Sequence, residues 1–349
     1  MEKRKLGNSE LALSVLGLGC WQFGGGTYWG PQDQQDVDAV VHRALDSGIN
    51  YFDTAEVYND GESEISLGRA LKGRREQAII GSKISTSNMY PNVLVQHCDN
   101  SLKRLQTDYI DLYMLHWPIS GHAVAHFTKD QDRIAKPPDL HEGFQALFDL
   151  QKQGKIRHIG ISNHGIKQME EVKRTGVPVI ANEMAYNLFS RAIEESILPY
   201  CAENEIGVIS YMPLLQGLLS GKYHSIDEMK PMQTRSRHFH HSRGQGTRHG
   251  EEGAEQEILY ALQEIRRIAD ELDIHSIVLS LAWVIANKGI VTSIVGSRNV
   301  EQLEMNIQGA YYQLPTEIID RLNRITEPVL KTLGTNPDYY ENRNNSRIC

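Results

Sequence analysis

Paired cysteines are missing from this chain. Its four, Cys20, Cys98, Cys201 and Cys349, show no regular spacing and no CxxC motif, so neither a disulfide framework nor a metal site built on thiolates is expected. Long apolar runs are missing too: none approaches the roughly 18 residues of a membrane span. The opening "MEKRKLGNSE" places no apolar segment behind its charges, so no signal peptide is read and the expected location is the cytoplasm. Basic charge is in deficit, 36 Lys and Arg against 44 Asp and Glu for a net −8, which argues against nucleic acid as a partner. The dinucleotide fingerprint GxGxxG is absent as well. "GLGCWQFGGG" has glycines at other spacings and no helix directly behind them, which counts against an open doubly wound sheet.

What is present is a rhythm. In 349 residues with 40% hydrophobic content, short apolar runs alternate with amphipathic stretches. A strand pair, "KRKLG" and "LALSVL" around "NSE", comes first. The strand "LGLGC" then leads to a helix in "DVDAVVHRALDSG", where Val37, Val40, Val41, Ala44 and Leu45 share a face. The pattern returns through "INYFDTA", "QAIIGSK", "IDLYMLHW", "IRHIGISN", "PVIANEMAYN", "GVISYMP" and "VTSIVGS", giving eight strand-then-helix units. Continuous apolar strands alternating with helices predict a parallel sheet under a helical layer, and eight units predict a single (β/α)8 barrel over 1–349 with an N-terminal hairpin. Cys98, in register with Leu94, Leu102 and Leu105, reads as a core residue. Two connections exceed the usual length, 118–140 and 214–254. Both follow strands and so fall on the C-terminal face of a barrel, where active sites are built.

The strand ends on that face carry proton-handling groups. The second strand ends in Asp53 with Tyr58 just beyond; the third ends in Lys83 and the fourth in His116. A phenol is a poor acid at neutral pH, but a neighbouring ammonium stabilises the phenolate. Lys83 could supply that charge with Asp53 as its counter-ion, and His116 could hold a carbonyl oxygen beside Tyr58. Singly, each of these residues is more often structural; on three consecutive strands they form a device for protonating an oxyanion as it develops.

"GINYFDTAEVYNDGESEISLGRAL", "IIGSK", "DYIDLYMLHWP", "GKIRHIGISN", "ISYMPLLQGLLSGKY" and "LAWVIANKGIVTSIVGSRNVEQLEMN" together resemble the aldo-keto reductase family. The resemblance implies a (β/α)8 barrel, a tetrad of Asp53, Tyr58, Lys83 and His116 with Tyr58 as general acid in carbonyl reduction, a nicotinamide cofactor, and no metal. It implies that Ser162 and Asn163 hold the carboxamide, that Tyr211 stacks on the nicotinamide, and that Trp21 and Asp53 lie at the same end. Glu183 stands where many relatives have Gln. Gly217, Leu218, Ser220 and Lys222 match a strap over the pyrophosphate. At the start of the last barrel helix, Gly296, Ser297, Arg298, Gln302 and Asn306 match the adenosine-phosphate site, and such a helix N-terminus beside an arginine is a sound anion site. Arg298 favours NADP(H); Gln302, where many NADPH-dependent relatives carry Arg, leaves NAD(H) open. The family also contains cofactor-binding regulatory subunits with little turnover, which is the alternative reading.

Trp21, Tyr28, Trp29 and Trp117 either pack the rim or wall a pocket for the apolar face of a sugar-like carbonyl or alcohol substrate. The Arg- and His-rich stretch 233–253 reads first as a mobile, solvated insertion. A metal site on His238, His240 and His241 is the least supported reading. A lid in which Arg235, Arg237 or Arg243 reaches an anionic substrate group or the cofactor phosphates lies between the two. The polar tail 330–349 could be disordered, close over the site, or reach a neighbouring subunit in a homo-oligomer.

Overall fold

A computed structural model describes residues 1–349. The first two strands, β1 (Lys3–Lys5) and β2 (Ala12–Ser14), pair antiparallel with Lys3 opposite Ser14. Eight parallel strands then alternate with helices: β3 (Leu16–Gly19), α1 (Gln34–Asp46), β4 (Tyr51–Asp53), α2 (Glu62–Ala70), β5 (Ile79–Ile84), α3 (Pro91–Leu105), β6 (Ile110–Leu115), α4 (Gly121–Phe127), α5 (Gln131–Ala135), α6 (Leu140–Lys152), β7 (Ile156–Ser162), α7 (Ile166–Arg174), β8 (Ala181–Ala185), α8 (Ile197–Glu203), β9 (Gly207–Tyr211), α9 (Glu255–Glu271), α10 (Ser276–Ala286), β10 (Ile290–Gly296), α11 (Val300–Tyr311) and α12 (Thr316–Leu333). The strands close in chain order, with β10 pairing back onto β3. The predicted barrel and hairpin are both present.

Local chemistry explains the elements. In α3, Pro91 occupies the first turn, where its missing N–H costs nothing, and Leu94, Cys98, Ser101 and Leu105 form the buried face. The helix stops at Gln106 in the left-handed region. Side chains alternate along each barrel strand, so Tyr51 and Asp53 both point inward, one layer apart, as do Gly81 and Lys83 on the next strand. A Cβ at Gly81 would lie 2.2 Å from the Tyr51 hydroxyl; glycine is what lets the tyrosine fill the lower layer. Leu6 and Leu13 of the hairpin join Tyr51, Leu112, Ile180 and Val291 in an inner cluster that plugs the barrel's N-terminal end. A larger cluster of 73 residues lies mainly between strands and helices.

The long connections differ from expectation. Residues 118–140 contain α4 and α5, each capped by a side chain, Ser120 and Asp130 respectively. Helices this short give no usable periodicity. The stretch 233–253 is not a mobile, solvated insertion: Thr234, Ser236, Arg237, His238 and Phe239 are buried. The tail is ordered by contacts as well. α12 runs to Leu333, past the point where the tail was expected to begin, and the segment behind it folds back over the barrel's C-terminal face. There the buried Arg347 pairs with Asp338 at 2.8 Å and stacks 3.7 Å from the Trp117 ring centroid. The Cys349 carbonyl accepts from Lys167 N–H at 3.1 Å, lying so close to Gly165 that any Cβ there would overlap it. No helix is long and apolar enough to cross a membrane.

Candidate active site

β4 and β5 bring Asp53 and Lys83 into the upper layer of the barrel, and the turn after β4 carries Tyr58 over them. Lys83 Nζ donates to both Asp53 carboxylate oxygens at 2.6 Å and to the Thr54 carbonyl at 3.1 Å, and stands 3.5 Å from the Tyr58 hydroxyl. His116, the residue after β6, lies edge-on to Tyr58 with ring centroids 5.7 Å apart. Its Nδ1 is buried without a partner. The four residues expected to meet at one rim do so.

Burial governs their protonation. It pulls the Lys83 ammonium down, but Asp53 and Glu183 outweigh it and the value stands above an ordinary lysine's. Asp53 is raised by burial against the pull of Lys83. The phenol departs from expectation: burial raises Tyr58 more than Lys83 lowers it, and the nearby Asp53 and Glu183 charges add to the rise. The resting tyrosine is therefore a neutral O–H donor. His116 is lowered well below its usual value by burial and then by Lys83, so the imidazole is neutral.

A fifth group belongs to this cluster. Glu183 on β8 places a carboxylate oxygen 3.4 Å from Lys83 Nζ. Burial and the nearby Asp53 charge push its carboxyl up to about 8, against the pull of Lys83. One ammonium cannot neutralise two carboxylates in a low-dielectric interior, so one proton stays with the pair.

Above the cluster opens a cleft of about 750 Å³. Trp21, Trp29, Tyr58, His116, Trp117, Ser162, Asn163, Glu183, Tyr211, Gly217, Ser220, Lys222, Gly296, Arg298, Gln302 and Asn306 line it. The Asn163 amide donates to Ser162 Oγ at 2.9 Å and accepts from the Tyr211 hydroxyl at 2.8 Å. Ser162 in turn donates to the Glu183 carbonyl at 3.0 Å, so neighbouring strand ends share one polar chain. Besides Lys83 beneath the floor, three expected residues are not part of the cleft wall: Leu218, Ser297 and Tyr28. Leu218 is buried in the hydrophobic core, and Ser297 lies behind the wall, accepting from the Asn306 amide at 3.0 Å. Tyr28 seals the rim instead: its hydroxyl donates to Gln216 across the opening and its ring stacks on Trp21 at 4.8 Å. The Arg298 guanidinium donates to the Trp29 and Pro31 carbonyls and, at 2.9 Å, to the Gln32 amide oxygen. Gln302 turns back to accept the Arg298 N–H at 2.9 Å.

Of the three lid arginines only Arg235 lines the cleft. Arg237 is fully buried, donating to the carbonyls of Leu333, Asn336 and Asp338. Arg243 pairs with Asp227 and Glu255. His238 is held between Ser190 and Ser236 and so is separated from His240 and His241; those two instead approach Glu252, with ligand atoms within 4.8 Å of one another.

Sequence reasoning missed Gln22, whose amide donates to the Gly19 and Ser297 carbonyls at 3.0 Å and ties β3 to the loop after β10. Its place one residue after Trp21 at a strand end was the available signal. His126, Phe127, Arg248, Tyr340 and Arg347 also line the cleft; they come from segments with no pattern to place them.

A closed parallel barrel whose strand ends converge on one deep cleft defines a (β/α)8 protein with its site on the C-terminal face. The family model of the aldo/keto reductase family matches residues 15–327, and the chain belongs to that family. It is 32% identical over 338 residues to the aldo-keto reductase YhdN of Bacillus subtilis, covering 94% of each chain. It is 29% identical to the NADH-specific methylglyoxal reductase of Escherichia coli, over 93% of this chain and 100% of that protein. A solved aldo/keto reductase from Klebsiella pneumoniae in complex with NADP and acetate superposes with a TM-score of 0.70 at 27% identity, over 94% of this chain and 96% of that one.

Proposed function

We propose that the protein reduces an aldehyde or ketone to the alcohol with a nicotinamide cofactor, and runs the reverse oxidation by the same groups, with Tyr58 as the proton donor. The observation that carries this is the meeting of a neutral buried phenol, a buried ammonium 3.5 Å away and a neutral imidazole at the floor of one cleft. When bound, the nicotinamide supplies hydride.

The protein's own groups supply the rest. Neutral His116 has a ring N–H to offer the carbonyl oxygen, holding it beside the Tyr58 hydroxyl. As charge develops on that oxygen, the phenol proton transfers to it and the phenolate left behind faces Lys83 Nζ. That ammonium is fixed by Asp53, so no reorganisation is needed at the moment of transfer. Water is kept out by the ring wall of Trp21, Tyr28 and Trp29, packed at centroid distances of 4.8 to 5.3 Å.

Ser162, Asn163, Glu183 and Tyr211 would hold the nicotinamide end. Gly217, Ser220 and Lys222 would strap the pyrophosphate, and Arg298 with Asn306 the adenosine end. Glu183 lines the cleft beside Ser162 and Asn163, where its carboxyl could meet a carboxamide. Arg298 favours NADPH, because a 2′-phosphate can take over its bonds to the 29–32 loop. The aromatic wall favours a polyhydroxylated, sugar-like substrate, whose C–H face packs on rings. Following nicotinamide absorbance across a panel of aldehydes, ketones and sugars tests the proposal. Turnover supports it, whereas tight cofactor binding with no turnover on any carbonyl would favour a redox-sensing subunit instead.

A further inference from the structure

The 214–254 connection and the C-terminal segment bring three guanidiniums to the cleft, those of Arg235, Arg248 and Arg347. His126 sits among them, held down to about 4 by burial and then by Arg248, Arg347 and Arg235. Two of the three have carboxylate partners: Arg347 pairs with Asp338 at 2.8 Å and Arg248 with Glu341 at 2.6 Å. Arg235 pairs with no carboxylate, and its Nε is buried without a hydrogen-bond partner. It lies 5.4 Å from the Tyr28 ring centroid; Tyr28 stacks on Trp21, and Trp21 lies 5.7 Å from Tyr58. The uncompensated positive charge therefore ends a row of rings that begins at the phenol. In a chain of net charge −8, leaving a half-buried cation facing a cleft without a counter-ion is costly unless a ligand brings one.

We propose that Arg235 binds an anionic group, a carboxylate or a phosphate, carried by the carbonyl substrate beyond its reacting end. This inference rests on the carbonyl-reduction reading above. It makes the substrate a sugar acid or a sugar phosphate rather than a neutral sugar. Lys222 and Arg298 are the cations assigned to the cofactor, so Arg235 is left over for the other occupant.

The test compares matched substrates: glyceraldehyde with its 3-phosphate, and glucose with glucuronate. The expected result is a wild-type kcat/KM at least tenfold higher for the anionic member of one pair. Which pair shows it separates phosphate from carboxylate. Arg235→Gln should bring that ratio close to one, Arg235→Lys should restore part of it, and Arg243→Gln, an ion-paired arginine away from the cleft, should keep it. A charge-assisted hydrogen bond is strong enough for a change of tenfold or more. An unchanged ratio in Arg235→Gln overturns the proposal, as does a rise in the NADPH dissociation constant with the ratio intact, since that would place Arg235 on the cofactor. Binding of benzoate and of glycerol 3-phosphate, followed through Trp21 and Trp29 fluorescence at constant ionic strength, reads the same site with no turnover. Tenfold weaker binding of either anion in Arg235→Gln supports the subsite and equal binding of both sinks it, even if the wild type reduces no carbonyl and the reduction reading itself falls.

Discussion

Replacing Glu183 by Gln should make the protein more resistant to alkaline conditions, by an amount the structure sets. Glu183 is buried, and Asp53 takes the Lys83 ammonium through both carboxylate oxygens at 2.6 Å while Glu183 reaches it only at 3.4 Å. The shared proton therefore rests on Glu183, whose carboxyl is pushed from 4.5 up to about 8 by burial and by Asp53. Between those two values the folded chain binds a proton that the unfolded chain has released. Stability from this group is fully present below 4.5 and is lost as pH rises through 8, at up to about 1.4 kcal/mol per pH unit. Near 8 the slope flattens as the folded group itself titrates, so the loss between pH 6 and 8 comes to about 2 kcal/mol. The carboxamide introduced by Glu183→Gln does not titrate. Urea unfolding at pH 6, 7 and 8 should show the variant gaining about 2 kcal/mol on the wild type across that range. A difference that stays constant with pH would show that the pair holds no proton, and would refute the assignment.

Lys83→Met removes the only cation facing two buried carboxyls and should cost about 3–5 kcal/mol; loss of less than about 1 kcal/mol in urea unfolding would mean the pair is solvated. Arg298→Ala should weaken NADPH binding tenfold or more while changing NADH binding little, measured by fluorescence titration; equal losses for both coenzymes would show that Arg298 does not meet a 2′-phosphate. Gly81→Ala should destabilise by about 1–3 kcal/mol through the Tyr51 clash, and Tyr51→Phe in the same chain should recover part of it; no recovery would place the strain elsewhere.

The barrel was legible because its signal is repetitive: apolar strands with helices between them leave few topologies. The tetrad was legible because each member sits at a strand end, where position in sequence fixes position in space. Glu183 was seen as a place in a cofactor site, but not as a second carboxyl on Lys83, because β4 and β8 meet only across the closed barrel. The same holds for the phenol. Reading Lys83 beside Tyr58 suggested an acidified tyrosine, whereas burial, which the sequence does not display, raises it. Arg235, Arg237 and Arg243 look alike in "QTRSRHFHHSR", yet one faces the cleft, one is buried under the tail and one is paired at the surface. The burial of Arg237 depends on where residues 334–349 fold, and a polar tail carries no periodicity to say so.

The central claim is that Tyr58 donates the proton. The direct measurement is the rate of carbonyl reduction by Tyr58→Phe under saturating cofactor, with cofactor affinity determined on the same sample. Phenylalanine keeps the ring against Trp21 and His116 and removes only the hydroxyl. The account predicts cofactor affinity within about threefold of wild type and a rate lower by about 10²–10⁴ or more, the usual weight of general acid catalysis. A variant that binds cofactor and reduces carbonyls within tenfold of the wild-type rate would contradict it.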